Sequence, residues 1–309
     1  MNILCIMICL FINNFQKITS LQLDYYKNKC INKLSKLDFL NKRTFIDVLN
    51  KSNHLIYDNI TENKKLISIS PGGIKGFYLM GTINYIKENY NLDDYIFSGA
   101  SAGAWSGLFM TLKYPFADTN IDTHIDNETN DNYFIRNIIL DDNLKKAKTL
   151  LEFQYMLKYK ILSLYTNEDF ELDKLFVGVT SIKNFKIQTS IFSRFENLED
   201  AINCCIASSH IPFVTGGIIN KYHDMYTFDG GFSKYPYLNF TNATLHISPS
   251  IWVKKNKNKM FDPFSITEYT TLFSKDKYDF YELYENGYND AKKNKDYLDS
   301  IFIEEKKDF

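Results

Sequence analysis

Two short stretches decide how this chain folds: Leu66-Ile67-Ser68-Ile69-Ser70-Pro71-Gly72-Gly73-Ile74-Lys75-Gly76, and Tyr95-Ile96-Phe97-Ser98-Gly99-Ala100-Ser101-Ala102-Gly103. Each opens as a short apolar run and ends in glycine or other small residues, the pattern of a strand that stops at a turn. After the first, Phe77, Met80, Ile83 and Ile86 recur at three-residue steps, which predicts a helix over Gly76 to Tyr90. After the second, Ser101 to Leu112 reads as another helix. Strand, glycine-rich turn, helix, strand, sharp turn, helix is a βαβ order. It predicts an α/β fold with a mostly parallel sheet covered by helices on both faces.

Further along, Leu175 to Ile182 and Phe185 to Phe195 are β-rich runs separated by Lys183-Asn184, and they read as a hairpin. Leu198 to Ser208 reads as a small-residue helix, Met225 to Phe228 as a strand ending in Asp229-Gly230-Gly231, and Leu245 to Ser248 as another strand. Asp276 to Leu298 reads as a polar helix. Asp118 to Asp142 is acidic and reads as a surface excursion. Leu144 to Tyr165 is predicted to be one helix, with Lys145, Lys146, Lys148, Lys158 and Lys160 among apolar residues. It reads as an amphipathic helix with a solvated basic face, or else as a lid or membrane-facing helix. With no internal repeat and no long linker, one domain is expected over residues 64–295. A helical lead-in (21–63) precedes it and a polar tail (296–309) follows.

Hydrophobic residues make up 45% of the 309 residues and charged residues 24%, which argues against a disordered, collagen-like or coiled-coil chain. Lys and Arg number 36 against 37 Asp and Glu, so no global positive field exists to draw the protein onto nucleic acid. The longest apolar run, Ile3 to Ile12, is ten residues and too short to span a bilayer. Its position suits a signal-peptide core with cleavage after Ser20, although no basic residue precedes it; a strand or core helix is the alternative. A cleaved leader would send the protein to the secretory pathway or outside the cell. Without one it would be cytoplasmic and peripheral to membranes. Cys204 and Cys205 lie in an apolar stretch and read as packing residues; the five cysteines contain no CxxC and suggest no zinc site.

Gly99-Ala100-Ser101-Ala102-Gly103 fits G-x-S-x-G with a strand before it and a helix after it, the context a nucleophile elbow requires. Small residues let the backbone make the sharp turn, and the serine then sits at a helix N-terminus, where negative charge is favoured. The loop Gly72-Gly73-Ile74-Lys75-Gly76 admits two readings. A phosphate loop would need a Gly-Lys-Ser/Thr ending or a spaced glycine triplet, and neither is present. An oxyanion hole needs N–H donors near the serine. Parallel strands of one βαβ unit bring both turns to the same sheet edge, so the oxyanion reading accounts for both motifs with one site. Asp229-Gly230-Gly231 alone is readable as a simple turn.

Together these elements resemble the patatin-like phospholipase family. The glycine loop, the serine elbow and the Asp-Gly-Gly follow the family's order. Ala207-Ser208-Ser209-His210-Ile211-Pro212-Phe213 is similar to its apolar segment before the aspartate, and Tyr284-Glu285-Asn286-Gly287-Tyr288-Asn289-Asp290-Ala291 to its closing helix. The resemblance implies a three-layer α/β/α sandwich and a serine carboxylic-ester hydrolase acting on phospholipids or acylglycerols at a membrane or lipid surface. No metal or organic cofactor is expected, since no ligand cluster appears in the sequence. Carried over, Ser101 is the nucleophile and Asp229 the general base of a histidine-free dyad, with oxyanion donors from Gly72, Gly73 and Ile74 and a basic Lys75 before Gly76. The chain departs from the family at Pro71, where a glycine is usual; proline has no N–H, so the donors begin at Gly72. Three alternatives stay open. One is a catalytically silent lipid-binding or storage protein of the same fold. Another is a Ser–His–Asp esterase using His246, although its run Thr244-Leu245-His246-Ile247 reads as a strand. The third is an acyltransferase. Ile211, Phe213 and Val214 are expected to ring the mouth of the cleft.

Overall fold

The chain lays down β1 (Lys65–Ile69), a 3₁₀ turn (Gly73–Lys75), α1 (Gly76–Asn89), β2 (Tyr95–Ala100) and α2 (Ala102–Met110), the βαβ order read from the sequence. The computed structural model describes residues 64–113, 134–135, 141–183, 186–212, 214–217, 219–233, 235–238, 243–252 and 279–303. All belong to the unit that starts at Asn50. The expected signal peptide (1–20), the helical lead-in (21–63) and most of the acidic excursion lie outside the described residues.

α3 (Asp142–Lys145) and α4 (Leu150–Leu164) come next, then β3 (Leu175–Lys183), β4 (Lys186–Phe192) and α5 (Leu198–Ser208). The order ends with β5 (Asn220–Tyr222), β6 (Met225–Phe228), β7 (Leu245–Ile247), α6 (Phe280–Lys293) and α7 (Lys295–Phe302). Among the described residues the sheet has seven strands. Its centre is parallel: β7, β1, β2 and β3 run side by side, with Ile69 opposite both Gly99 and Ile247. β4 and β6 pair antiparallel with β3, and β5 antiparallel with β6. The expected hairpin is therefore present, with Lys183 opposite Lys186. β5 carries too few apolar residues to be read as a strand from sequence.

Alternation along the strands sends Ile67, Ile69, Phe97 and Val177 to one face, where they meet Leu79 and Ile83 of α1, Leu108 of α2 and Ile202 of α5. Leu66, Ile96 and Phe176 occupy the opposite face with Leu238. Burying each such side chain contributes about 1.5–3 kcal/mol, so packing, more than helix propensity, holds the helices on the sheet. Cys204 and Cys205 are buried and free, as expected, and burial pushes both thiols up.

Two predicted helices are each split. Leu144 to Tyr165 becomes α3 and α4 because Thr149 caps a new helix: its hydroxyl accepts the Glu152 N–H at 3.1 Å, and Glu152 reaches back to the Lys148 N–H at 2.6 Å. The C-terminal helix breaks at Asn294, whose N–H closes α6 while its side chain bonds the Asp290 carbonyl at 2.8 Å. It is also less polar in effect than its composition implies. Phe280 stacks on Phe77 at 4.1 Å, and Tyr284 and Ala291 are buried against α1. Packing continues past residue 295, where the tail was expected to begin: Leu298 is buried and Phe302 stacks on Tyr90 at 4.8 Å. Among the described residues, no helix is long and apolar enough to cross a membrane.

Candidate active site

Ser101 stands between β2 and α2 with φ 55° and ψ −126°, a backbone conformation a serine rarely adopts. Such strain costs on the order of 1–3 kcal/mol and persists only where the surroundings over-determine it. Here they do. A Cβ on Gly103 would lie 2.3 Å from the Ile69 carbonyl oxygen, so only glycine lets the start of α2 press onto β1. The Ser101 N–H donates to Ser208 Oγ at 2.8 Å, and Ser208 Oγ donates to the Gly178 carbonyl at 2.7 Å. The elbow is thereby tied to α5 and β3 at once. Ser101 is the N-cap of α2, yet its hydroxyl makes no capping bond. It donates instead to Asp229 Oδ2 at 2.6 Å.

Strand register brings that partner in. β4 pairs along one edge of β3 over residues 177–183, which leaves the other edge to β2 and β6. β2 runs parallel to β3 and ends with Ala100 opposite Gly178; β6 runs antiparallel and ends with Phe228 opposite Thr180. The two strands thus meet end to end along β3, and the residue that follows each is Ser101 and Asp229. Gly230 then passes so close that a Cβ there would sit 2.3 Å from the Gly178 carbonyl oxygen and 2.7 Å from the Ala100 side chain.

Asp229 is 5% exposed and Ser101 6%. The other carboxylate oxygen of Asp229, Oδ1, accepts the Gly231 N–H at 2.6 Å, and the Asp229 N–H donates to the His210 carbonyl at 2.7 Å. Burial pushes its carboxyl up to about 6; the bonds from Ser101 and Gly231 pull the other way without cancelling it. A carboxylate raised this far and touching a hydroxyl can accept that hydroxyl's proton near neutral pH.

The glycine loop divides. The Lys75 N–H donates to the Gly72 carbonyl at 3.0 Å, and the Gly76 N–H to the carbonyls of Gly73 and Ile74. Lys75 and Gly76 belong to the loop expected to form the oxyanion hole, but they offer it no free N–H, because theirs close the 3₁₀ turn. Gly72 is the N-cap of that turn and Gly73 and Ile74 open it, and the N–H groups of these three make no such bond among the described residues. Gly73 has φ 53°.

Ser101, Gly73, Ile74 and Ala102 share a cavity of about 120 Å³. Its remaining wall is mostly apolar: Phe77 and Met80 of α1, Leu150, Phe153 and Leu157 of α4, and Ile211. That is somewhat smaller than the roughly 150 Å³ cavity that takes benzene, so it suits an ester and the first carbons of an acyl chain. Trp105 Nε1 donates to Ser209 Oγ at 3.1 Å beside it.

Three expectations are corrected here. His246 Nδ1 lies 2.8 Å from Ser68 Oγ, on the β7–β1 pair, and not on Asp229, so it is no triad base. Ile211 is buried inside the cavity, not on its rim; Val214 is half-buried, and Phe213 lies outside the described residues. The basic face of α4 is not free either. Lys158 is buried and bonds Glu199 at 2.7 Å and Asn203 at 2.9 Å, while Lys160 pairs with Asp141 at 3.0 Å. The exposed side of α4 carries Tyr155 and Tyr159. Sequence reasoning assigned no role to Ser208, although it lies in the segment quoted for the family.

The arrangement is a serine hydroxyl raised on a strand–elbow–helix turn and bonded to a buried carboxylate at the same sheet edge. Residues 67–240 match the family model for patatin-like phospholipase, more than half of the chain. The chain belongs to that family of lipid acyl hydrolases and has its three-layer α/β/α fold. No curated protein matched it.

Proposed function

We propose that the protein hydrolyses carboxylic esters of lipids with Ser101 as nucleophile and Asp229 as its base, through an acyl-enzyme. The observation that carries this reading is the 2.6 Å bond from Ser101 Oγ to Asp229 Oδ2, made by a carboxyl whose burial pushes it up to about 6. As Ser101 Oγ attacks the ester carbonyl carbon, its proton passes to Asp229. The carbonyl oxygen becomes an anion facing the N–H groups of Gly72, Gly73 and Ile74 and the positive end of α2. Collapse breaks the ester C–O bond, and Asp229 returns the proton to the leaving alcohol. Water, deprotonated by Asp229, then attacks the acyl-enzyme, and the fatty acid leaves with Ser101 restored. No histidine takes part. The substrate is drawn from a membrane or lipid surface to which the protein attaches peripherally, with exposed Tyr155 and Tyr159 suited to an interface.

Incubating wild type and Ser101→Ala with mixed phospholipids and acylglycerols, with mass spectrometry of the released acids, tests this reading. Fatty acid release by wild type alone supports it. Release by neither protein, with both folded, overturns it in favour of a silent lipid binder.

A further inference from the structure

Serine is a favoured helix N-cap, ordinarily with extended backbone and its hydroxyl accepting an N–H of the first helical turn. Ser101 is the N-cap of α2, but at φ 55° it makes no such bond, and its hydroxyl turns to Asp229 at 2.6 Å. Something outside the elbow must withhold the ordinary conformation. In the turned one, the Ser101 N–H donates to Ser208 Oγ at 2.8 Å. Ser208 is fully buried, so the bond is sheltered from water. A hydroxyl has one proton, and that of Ser208 goes to the Gly178 carbonyl at 2.7 Å. A lone pair is left facing the Ser101 N–H, and the hydroxyl cannot turn away without orphaning buried groups. The same short stretch holds the base. Two residues on, the His210 carbonyl accepts the Asp229 N–H at 2.7 Å. Between them, Ser209 Oγ accepts from Trp105 Nε1 at 3.1 Å and donates to the Cys205 carbonyl at 2.8 Å, and the Ser209 carbonyl accepts from Thr215 Oγ1 at 3.2 Å. The stretch grips the nucleophile's N–H at one end and the base's at the other, and is braced in between.

We propose that Ser208 is a positioning residue: its hydroxyl holds Ser101 out of the ordinary N-cap conformation and, through the stretch to His210, sets the nucleophile at a fixed place against its base. The inference deepens the hydrolase reading and rests on it. Without the Ser208 hydroxyl, the Ser101 N–H and the Gly178 carbonyl lose their shared partner. Ser101 is then free to relax toward the ordinary N-cap, which swings its Oγ from Asp229 toward the first turn of α2. A misplacement of about 1 Å at a reacting atom costs up to about 10² in rate. Substrate binding depends on the apolar cavity wall, which Ser208 does not line, so the loss belongs in kcat and not in KM.

Hydrolysis of nitrophenyl butanoate by wild type, Ser208→Ala, Ser208→Cys and Thr111→Ala tests this, with folding checked by circular dichroism. Thr111 is the control: a buried hydroxyl on the same α2, bonded to the Leu108 carbonyl at 2.7 Å at the helix's far end. Ser208→Ala should lower kcat by about 10–10²-fold with KM within about twofold. Ser208→Cys, whose thiol is a weaker donor and acceptor of similar shape, should fall between, and it carries the test if Ser208→Ala does not fold. Thr111→Ala should keep kcat within about twofold. In an Asp229→Asn background, Ser208→Ala should slow fluorophosphonate labelling of Ser101 by no more than about twofold further, because no base is left to align. Wild-type kcat in the folded Ser208 variants overturns the proposal and leaves the hydrolase reading standing. A loss that Thr111→Ala reproduces, that falls in KM, or that persists in full without Asp229 overturns it too, as the mark of a merely structural role. If wild type cleaves no ester, the hydrolase reading fails and the proposal falls with it.

Discussion

Asp141 and Asp229 do the same local job with opposite electrostatic results. Each caps a short helical turn through its side chain: Asp141 accepts the Asn143 N–H at 2.8 Å and Asp229 the Gly231 N–H at 2.6 Å. At Asp141 that backbone bond, with Lys160 at 3.0 Å, holds the carboxyl below its ordinary value. At Asp229 no cation appears among the causes of its shift, and burial outweighs both hydrogen bonds. A capping aspartate that is buried beside a hydroxyl, in place of a lysine, has its carboxyl raised toward the range the proposed base requires. The difference lies in what the strands bring together, since the local turn chemistry is alike.

The comparison breaks most visibly in activity. Asp229→Asn should lower kcat/KM by about 10²–10⁴, the usual range for a positioned base, whereas Asp141→Asn should leave it within about twofold. Equal losses in both variants would mean that the turn, not the base, matters. Next in size, Gly73→Val should cost about 10²–10³ in kcat, because the side chain strains a positive-φ residue and displaces oxyanion donors. Pro71→Gly should cost less than about tenfold, since position 71 offers no N–H. A larger loss there, in folded protein, would mean that the turn depends on proline's fixed φ.

The acid–base contrast gives two smaller effects. Wild-type kcat/KM should rise with pH through about 6 and then level off, because Asp229 works as the carboxylate. A profile flat down to pH 4 would remove Asp229 as the base. In stability the sign reverses between the two aspartates. The raised pKa of Asp229 means that the folded state binds more protons than the unfolded chain between about pH 4 and 6, so this group lowers stability as pH rises through that window. The cost at pH 7 is about 3 kcal/mol, and Asp229→Asn should recover part of it, with the gain vanishing below pH 4. Asp141, lowered in the folded state, contributes stability that is present above its unfolded pKa and lost as pH falls. Asp141→Ala should cost about 1 kcal/mol near neutral pH and less in acid. Chemical denaturation of both variants across pH reads both signs.

Much of the site was legible because its signals are local. A strand that ends in Gly99-Ala100-Ser101 and a helix that starts at once leave few conformations for Ser101. What joins Ser101 to Asp229 was not legible. The end-to-end meeting of β2 and β6 along β3 is a pairing across 128 residues, and no local pattern encodes it. The family resemblance supplied the partnership that spacing could not. Ser208, which ties the elbow to Gly178, has the same cause of obscurity. The break before α4 did leave a mark, the capping box Thr149-Leu150-Leu151-Glu152, but apolar periodicity running from Leu144 hid it.

The most direct test of the Ser101–Asp229 pair is the rate and site of labelling by a fluorophosphonate, read by peptide mass spectrometry in wild type, Asp229→Asn and His246→Gln. One adduct on Ser101 is expected, forming faster as pH rises through about 6, slowed by at least about 10² in Asp229→Asn and unchanged in His246→Gln. An adduct on another residue, or a Ser101 labelling rate indifferent to Asp229, would contradict the account.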